Sequence, residues 1–150
     1  MKSTGWMFAM GIFAASFPYC AFAVLGSDAA SVEADRAYMN GTLQTTQRGS
    51  FSVHEIQAAS GTAIKEYVSP AGTVFAITWA GPSLPDLREL LGPYFNLYTE
   101  AVKAGRAGRG PINIQQPGLV VQSGGQMRAF FGRAYVPSMI PQGVTADEIQ

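Results

Sequence analysis

The sequence predicts an α+β domain, in which an antiparallel sheet of about five strands packs against one long helix. Three observations support this prediction. Residues 73–79 alternate in the manner of a β-strand, an apolar stripe follows at helical spacing over residues 87–102, and short turns separate the other apolar segments. The predicted order of elements is α-β-β-β-α-β-β. Closure into an all-β fold is the weaker alternative, because the helical stripe is so regular.

The predicted core joins the strand at 73–79 to the helix that follows it. This strand places Phe75, Ile77 and Trp79 on one face. The helix presents a stripe at intervals of three and four residues, formed by Leu87, Leu91, Tyr94, Tyr98 and Val102. Packing the two apolar faces together is worth on the order of 10–20 kcal/mol before chain entropy is subtracted.

The ends of this helix are marked by turn residues. Ser83 is the predicted N-cap, with Pro85 in the first turn and Asp86 at a spacing similar to that of a capping box. Gly92-Pro93 predicts a break or kink inside the helix, because proline lacks an N–H group and clashes with the preceding turn.

The chain before this core predicts one helix and two strands. Ser27 is expected to cap a surface helix over residues 28–39, which Asn40-Gly41 ends, and residues 42–49 are polar and predict a loop. Strands are predicted at 50–58 and 62–69, where tight turns complete a meander with 73–79. Ile56 is out of phase with Phe51 and Val53, which suggests a bulge near His54-Glu55.

The chain after the helix predicts a loop, two strands and a tail. The stretch from Lys103 to Arg109 is rich in Gly and Arg and begins a predicted mobile loop that extends to Gly118. Strands at 119–121 and 127–136 are expected to be joined by Ser123-Gly124-Gly125. Residues 137–150 predict a C-terminal tail that lies on the surface or is disordered.

The N-terminus has the pattern of a signal peptide. Lys2 precedes an uncharged apolar run over residues 6–17, and Ala21-Phe22-Ala23 fits a cleavage site. We expect a signal peptide at 1–23 with cleavage after Ala23, export to the periplasm or beyond, and a single domain at 24–136. A retained anchor and a lipoprotein modified at Cys20 are the alternatives. No stable membrane insertion is expected after cleavage, because the apolar run is short for a membrane-spanning helix.

The charge balance bears on the choice of partner. The full chain has ten basic and ten acidic side chains. Loss of Lys2 with the signal peptide would leave a formal charge of −1. A chain so close to neutral argues against nucleic acid or an anionic membrane surface as the main partner.

Several short segments of the chain form a recognisable series. They are Glu66-Tyr67-Val68, Gly72-Thr73-Val74-Phe75, Trp79-Ala80-Gly81-Pro82, Pro85-Asp86-Leu87, Leu91-Gly92 and Gly124-Gly125-Gln126-Met127-Arg128-Ala129-Phe130. In this order they resemble one family of exported proteobacterial proteins, known as domain of unknown function 2844. The resemblance implies a secreted, single-domain protein of a Gram-negative bacterium. It implies no activity and no catalytic residue. Relatives often have His at the position of Gln126, so chemistry that needs that imidazole would be missing here.

The residues offer little for catalysis. His54 is the only histidine, the mature chain would have no cysteine, and no Gly-x-Ser-x-Gly elbow is present. His54 and Glu55 are neighbours on a predicted strand and therefore point to opposite faces. No metal site and no cofactor is predicted. Glu55 and Glu66 on adjacent strands could form the carboxylate pair of a glycoside hydrolase, although an ion-pair cluster with nearby cations is the simpler interpretation.

The candidate binding residues are Glu66, Tyr67, Arg128 and Arg133, which the predicted sheet could bring to one surface. We expect a non-enzymatic module that binds a protein or an envelope component through a sheet face or edge. A small secreted hydrolase acting on glycan or cell-wall material through Glu55, Glu66 or His54, or a secreted enzyme inhibitor, are the alternatives. Some of the aromatic side chains could form an exposed strip for sugar or peptide.

Overall fold

The fold was determined from a computed structural model that describes residues 25–105 and 110–150. The predicted signal peptide at 1–23 and the arginines of the basic loop, Arg106 and Arg109, lie outside these described residues. The described residues form three α-helices: α1 (Val32–Tyr38), α2 (Leu87–Leu91) and α3 (Phe95–Ala104). The strands are β1 (Thr42–Arg48), β2 (Phe51–Gln57), β3 (Ala63–Val68), β4 (Val74–Gly81), β5 (Ile112–Gln116), β6 (Leu119–Gln126) and β7 (Ala129–Tyr135).

All seven strands form one antiparallel sheet in the order β1-β2-β3-β4-β7-β6-β5. Two meanders, β1 to β4 and β5 to β7, meet where β4 pairs with β7. The helical segment between β4 and β5 carries the chain to the far edge of the sheet. The α+β class and the antiparallel sheet are therefore confirmed, and the predicted meander through β2, β3 and β4 is present.

The prediction of five strands was wrong because both edge strands were predicted as loop. β1 occupies most of the predicted polar loop at 42–49, and Leu43 is its only residue that is not fully exposed. β5 lies within the predicted loop at 103–118. β1 is polar and is held by backbone pairing to one neighbour, so it carries no apolar periodicity that a sequence could reveal. β5 offers only the short alternation of Ile112 and Ile114 within five residues.

Helices cover one face of the sheet, which we call the helix face. Ile77 and Trp79 of β4 pack there with Leu87 and Leu91, and the partly buried Tyr94, Tyr98 and Val102 adjoin them. The predicted helical stripe is thus confirmed. The predicted break is confirmed as well: Gly92 has φ +45°, in the left-handed region that favours glycine, and a 3-10 turn over Gly92–Tyr94 separates α2 from α3.

Phe75 was predicted to share the face of Ile77 and Trp79, and this is wrong. Tyr67 pairs with Ala76 but Val68 pairs with Val74, so Phe75 is an extra residue in a β-bulge of β4. The bulge interrupts the alternation of side chains. Phe75 consequently packs with Ala76 on the opposite face, while Val74 packs on the helix face.

The predicted bulge in β2 was also wrong. The pairing of β2 with both neighbours is continuous through His54 and Glu55. Ile56 differs in phase from Phe51 and Val53 because it faces the helices, whereas those two face the other side of the sheet. A strand buried on both faces produces this pattern without any irregularity.

The starts of the helices differ from the predictions. Asp28, and not Ser27, caps a 3-10 turn over Ala29–Ser31 that leads into α1. The expected stop is confirmed, since Met39 is the C-cap and Asn40 has φ +48°. Asp86, and not Ser83, caps α2: its Oδ1 accepts a hydrogen bond of 2.9 Å from the backbone N–H of Arg88. Pro85 therefore precedes the helix.

Replacing Asp86 with alanine is expected to lower the free energy of unfolding by about 1 kcal/mol, because a backbone N–H at the start of α2 would lose its acceptor. Asp86→Asn is the matched control, since an asparagine oxygen can accept the same hydrogen bond, and it should stay within about 0.5 kcal/mol of the parent. Urea denaturation of the three proteins measures both values. Equal losses for the two variants would contradict the assigned cap.

The last hairpin is longer than predicted. β6 continues through Ser123-Gly124-Gly125, which was predicted as the turn, and the chain reverses at Met127-Arg128. Arg128 has φ +65°, so it occupies the left-handed position of this turn.

Residues 137–150, predicted as a tail that lies on the surface or is disordered, extend across the second face of the sheet, which we call the C-terminal face. Ile149 is only 1% exposed there. It belongs to a cluster with Phe51, Val53, Tyr67, Phe75 and Ala76, flanked by the partly buried Tyr135, Met139, Ile140 and Val144. The sheet is thus covered on both faces. Among the described residues, no helix is long and apolar enough to cross a membrane.

Candidate functional site

A groove runs across the C-terminal face on both sides of the last residues of the chain. One cavity, of about 400 Å³, lies over β1, β2 and β3, and a second, of about 620 Å³, lies over β3 to β7. Lys65 and Gln150 line both cavities. We call the two cavities and the strip between them the groove.

A row of polar side chains forms the floor of the groove. Strand pairing places one residue of each strand side by side, and all of them line one cavity or both. In the order of the sheet, the row consists of Gln44, Glu55, Lys65, Thr78, Arg133, Gln122 and Asn113. It therefore offers hydrogen-bond donors and acceptors across the full width of the sheet.

The two cations of this row bind oxygen atoms of neighbouring residues. Arg133 Nε donates to Gln122 Oε1 at 2.7 Å and its Nη1 donates to the carbonyl of Ala146 at 2.9 Å. Lys65 Nζ donates to the backbone oxygen of Gln150 at 3.2 Å. Over residues 25–105 and 110–150, neither cation has an Asp or Glu side chain within the 4.0 Å of an ion pair. No acidic side chain of the described residues therefore pairs with the cations of the groove floor.

An aromatic ring stands beside the row. Phe131 is 60% exposed, and strand pairing places it opposite Gly124. A Cβ atom added to Gly124 would lie 3.1 Å from Phe131 Cζ, so the ring packs closely over the glycine. The absence of a side chain at Gly124 thus allows an exposed ring to lie against the sheet next to Arg133 and Gln122.

Tyr67 lies under the end of the chain. It is buried, and its ring packs against Phe51 and Phe75. Its hydroxyl donates to the carbonyl of Gln150 and accepts a hydrogen bond of 2.9 Å from the Gln150 N–H. Tyr67 therefore binds both backbone polar groups of Gln150 at the centre of the groove.

The structure brings together two of the four predicted binding residues. Tyr67 and Arg133 lie on the C-terminal face, where both bind residues of the chain end. Glu66 is the neighbour of Tyr67 on β3 and faces the helices, with an exposed fraction of 0%. Arg128 lies in the exposed β6–β7 turn and lines neither cavity. Glu66, Tyr67 and Arg128 thus do not converge on one surface.

Glu66 is instead part of a buried acidic pair with Asp35 of α1. Burial raises the pKa of Glu66 well above its ordinary value, and the negative charge of Asp35 raises it further. A side-chain hydrogen bond with Asp35 raises the pKa of Glu66 as well. A protonated Glu66 beneath α1 is the arrangement that these surroundings favour.

Glu55 and Glu66 do not form the carboxylate pair that was considered as an alternative to an ion-pair cluster. Glu55 pairs with Lys65 on the C-terminal face, whereas Glu66 pairs with His54 on the helix face. Two carboxylates on opposite faces of a sheet cannot act on one glycosidic bond. His54 lies within hydrogen-bonding distance of Thr45 and Ser52 through its two ring nitrogens, and burial lowers its pKa.

A metal ion finds few ligands in the part of the chain that the structure describes. No group of three or more His, Cys, Asp or Glu side chains there could hold one.

Two residues of the groove floor were not predicted as binding residues. Lys65 was only one of the nearby cations of the predicted ion-pair cluster, and Asn113 was in a predicted loop. Only strand pairing reveals that they share a row with Arg133.

The comparisons give a family and no closer relative. The sequence model of the family described as protein of unknown function (DUF2844) matches residues 21–149. No curated protein and no solved structure matches the chain.

Proposed function

We propose, from the premise that this chain belongs to the DUF2844 family of proteins of unknown function, that it is a non-enzymatic binding module of the cell envelope and binds its ligand in the groove. The observation that carries the proposal is the row of polar side chains with two cations that, among the described residues, have no Asp or Glu partner, next to the exposed ring of Phe131. Binding sites typically combine an apolar surface with a few convergent polar groups.

The chemistry of the groove sets what the ligand must offer. Lys65 and Arg133 favour a ligand with carbonyl or anionic oxygens, because both are permanent donors near neutral pH. Gln122 and Asn113 can donate and accept, and Phe131 offers a flat apolar surface. A polar ligand with one apolar face, from a protein or an envelope component, satisfies all of these groups.

Hydrolysis is a less favoured function for this geometry. Glu66 is fully buried, and Glu55 and His54 lie on opposite faces of β2. These residues cannot meet at one substrate. Binding through the groove could also inhibit an enzyme, and an inhibitor needs no catalytic group. The predicted signal peptide at 1–23 supports export, so we propose the periplasm or the outside of the cell as the location of either role.

Co-sedimentation with envelope fractions tests the proposal. We expect the purified protein to sediment with peptidoglycan sacculi or with outer-membrane vesicles, and Phe131→Ser or Lys65→Gln to lower the bound fraction about tenfold, equivalent to about 1.4 kcal/mol. Leu84→Ser is the matched control, since Leu84 is an exposed apolar residue that does not line the groove. The proposal fails if the parent protein stays in the supernatant with both fractions, or if the groove variants and the control bind alike.

A further inference from the structure

We infer that the ligand of the groove is an extended acidic peptide with one branched aliphatic side chain, and that residues 145–150 of the chain occupy its site in cis. The inference rests on the proposed binding function and adds the class of ligand. It follows from what the groove already binds, since the last residues of the chain lie in it as a peptide would.

The polar groups at the centre of the groove bind the backbone of this segment and not its side chains. Tyr67 binds both the N–H and the carbonyl of Gln150, and Lys65 donates to the same carbonyl. Arg133 donates to the carbonyl of Ala146 at 2.9 Å and to that of Ile149 at 3.4 Å. Backbone groups are common to all peptides, so these contacts are open to a segment of another chain.

One side chain anchors the segment. Ile149 is the only residue of 145–150 that is buried, and it inserts among aromatic rings and Ala76. The pocket is formed by Phe51, Val53, Tyr67, Phe75 and Ala76. Its walls are apolar, so it selects an aliphatic residue at this position of a ligand.

Charge complementarity selects the residues that precede the anchor. Asp147 and Glu148 line the smaller cavity together with Arg48 and Lys65 of the sheet. Both acidic residues are exposed, and within residues 25–105 and 110–150 neither of them makes an ion pair. An acidic ligand would lie beside the same cations, and it can replace the segment without breaking an ion pair of Asp147 or Glu148.

The groove is longer than the segment that occupies it. Seven strands at about 4.8 Å spacing make a row about 29 Å wide, whereas six extended residues span about 20 Å. Residues 146–148 form a 3-10 turn, which shortens the segment further. Cavity space remains on both sides of Gln150. A fully extended partner could fill more of the groove than the chain's own end does.

A labelled peptide with the sequence of residues 141–150 tests the inference by fluorescence anisotropy. We expect full-length Ile149→Ala protein to bind this peptide at least tenfold more tightly than the parent does, because the variant vacates the pocket. Asp147→Lys/Glu148→Lys is a second full-length variant, which loosens the segment by removing the hydrogen bond from the Thr145 N–H to Glu148 and leaves Ile149 itself unchanged. This double variant should also bind the peptide more tightly than the parent protein does. Met127→Ala is the control, since Met127 is 90% exposed in a distant turn, and it should match the parent.

Changes in the peptide complete the test. Peptides with alanine at the position of Ile149, or with Asn and Gln at the positions of Asp147 and Glu148, should bind the Ile149→Ala protein at least tenfold more weakly. Failure of both folded variants to bind the parent peptide would overturn the inference, and so would equal binding by the parent protein and the variants. The proposed function is judged separately. If the parent protein sediments with envelope fractions through Phe131 while the peptide does not bind, the groove has another ligand and only the peptide inference falls.

Discussion

Gly132→Val is expected to lower the free energy of unfolding by about 3 kcal/mol or more, which is a large share of the stability of a small domain. Gly132 of β7 lies between Trp79 of β4 and Ser123 of β6. A Cβ atom at this position would lie 2.3 Å from Trp79 Cζ2 and 2.8 Å from the Cβ of Ser123. Trp79 is only 2% exposed, so its ring has no open space into which it could move.

Urea denaturation followed by tryptophan fluorescence measures this loss. Gly110→Val is the matched control, because no atom lies within 4 Å of a Cβ built there, and it should stay within about 0.5 kcal/mol of the parent. A denaturation midpoint of Gly132→Val equal to that of the control would show that the indole does not lie over the glycine. The packing assigned to the helix face would then be wrong.

Glu66→Gln is expected to make the protein more stable than its parent at alkaline pH and to remove a pH dependence. The pKa of Glu66 is raised in the fold by burial first and by Asp35 second, from an ordinary value of 4.5. Its contribution to stability is therefore fully present below the unfolded-state pKa and is lost as the pH rises from there through the folded-state pKa. The slope has a limit of about 1.4 kcal/mol per pH unit for a single group.

Glutamine has nearly the shape of protonated glutamate and stays neutral at every pH, so the variant should keep its stability where the parent loses it. We expect an advantage of about 1–3 kcal/mol at pH 8 to 9. The free energy of unfolding should be measured from pH 7 upward, because the lowered pKa of His54 affects stability at lower pH. At that lower pH, His54 binds a proton in the unfolded chain but not in the folded chain.

Glu55→Gln is the control for this experiment, since Glu55 lies on the neighbouring strand and faces the other side of the sheet. Its profile should run parallel to that of the parent. Parallel profiles for Glu66→Gln and the parent would contradict a protonated Glu66 in the fold, and a loss of stability in the variant at all pH values would indicate that glutamine cannot replace it beneath α1.

The sequence predicted well those elements whose side chains carry a pattern of their own. Apolar residues recur at intervals of three and four from Leu87 to Val102, and the break at Gly92-Pro93 follows from the chemistry of these two residues. The strands β2, β3 and β4 were recognisable because they are buried and separated by short turns. Each of these signals is local, so no knowledge of distant contacts was needed.

The candidate site was predicted only in part, for a physical reason. Tyr67 and Arg133 were named, but Glu66 was expected beside them and faces the opposite side of the sheet. The groove floor draws one residue from each of seven strands, of which β1 has no apolar periodicity and β5 has only two alternating isoleucines. A site assembled across strand pairs depends on register, which no single segment specifies.

By itself, the amino-acid sequence determined the class of the fold, the helix with its break and the central strands, because these depend on the spacing of apolar residues and on turn chemistry. Only the tertiary structure decided that Phe75 turns away from the helices, that polar segments pair as edge strands and that Ile149 closes the second face. Each of these depends on a partner far away in the chain. A bulge, an edge pairing or a docked segment is stabilised by contacts whose free energy exists only once the sheet has formed.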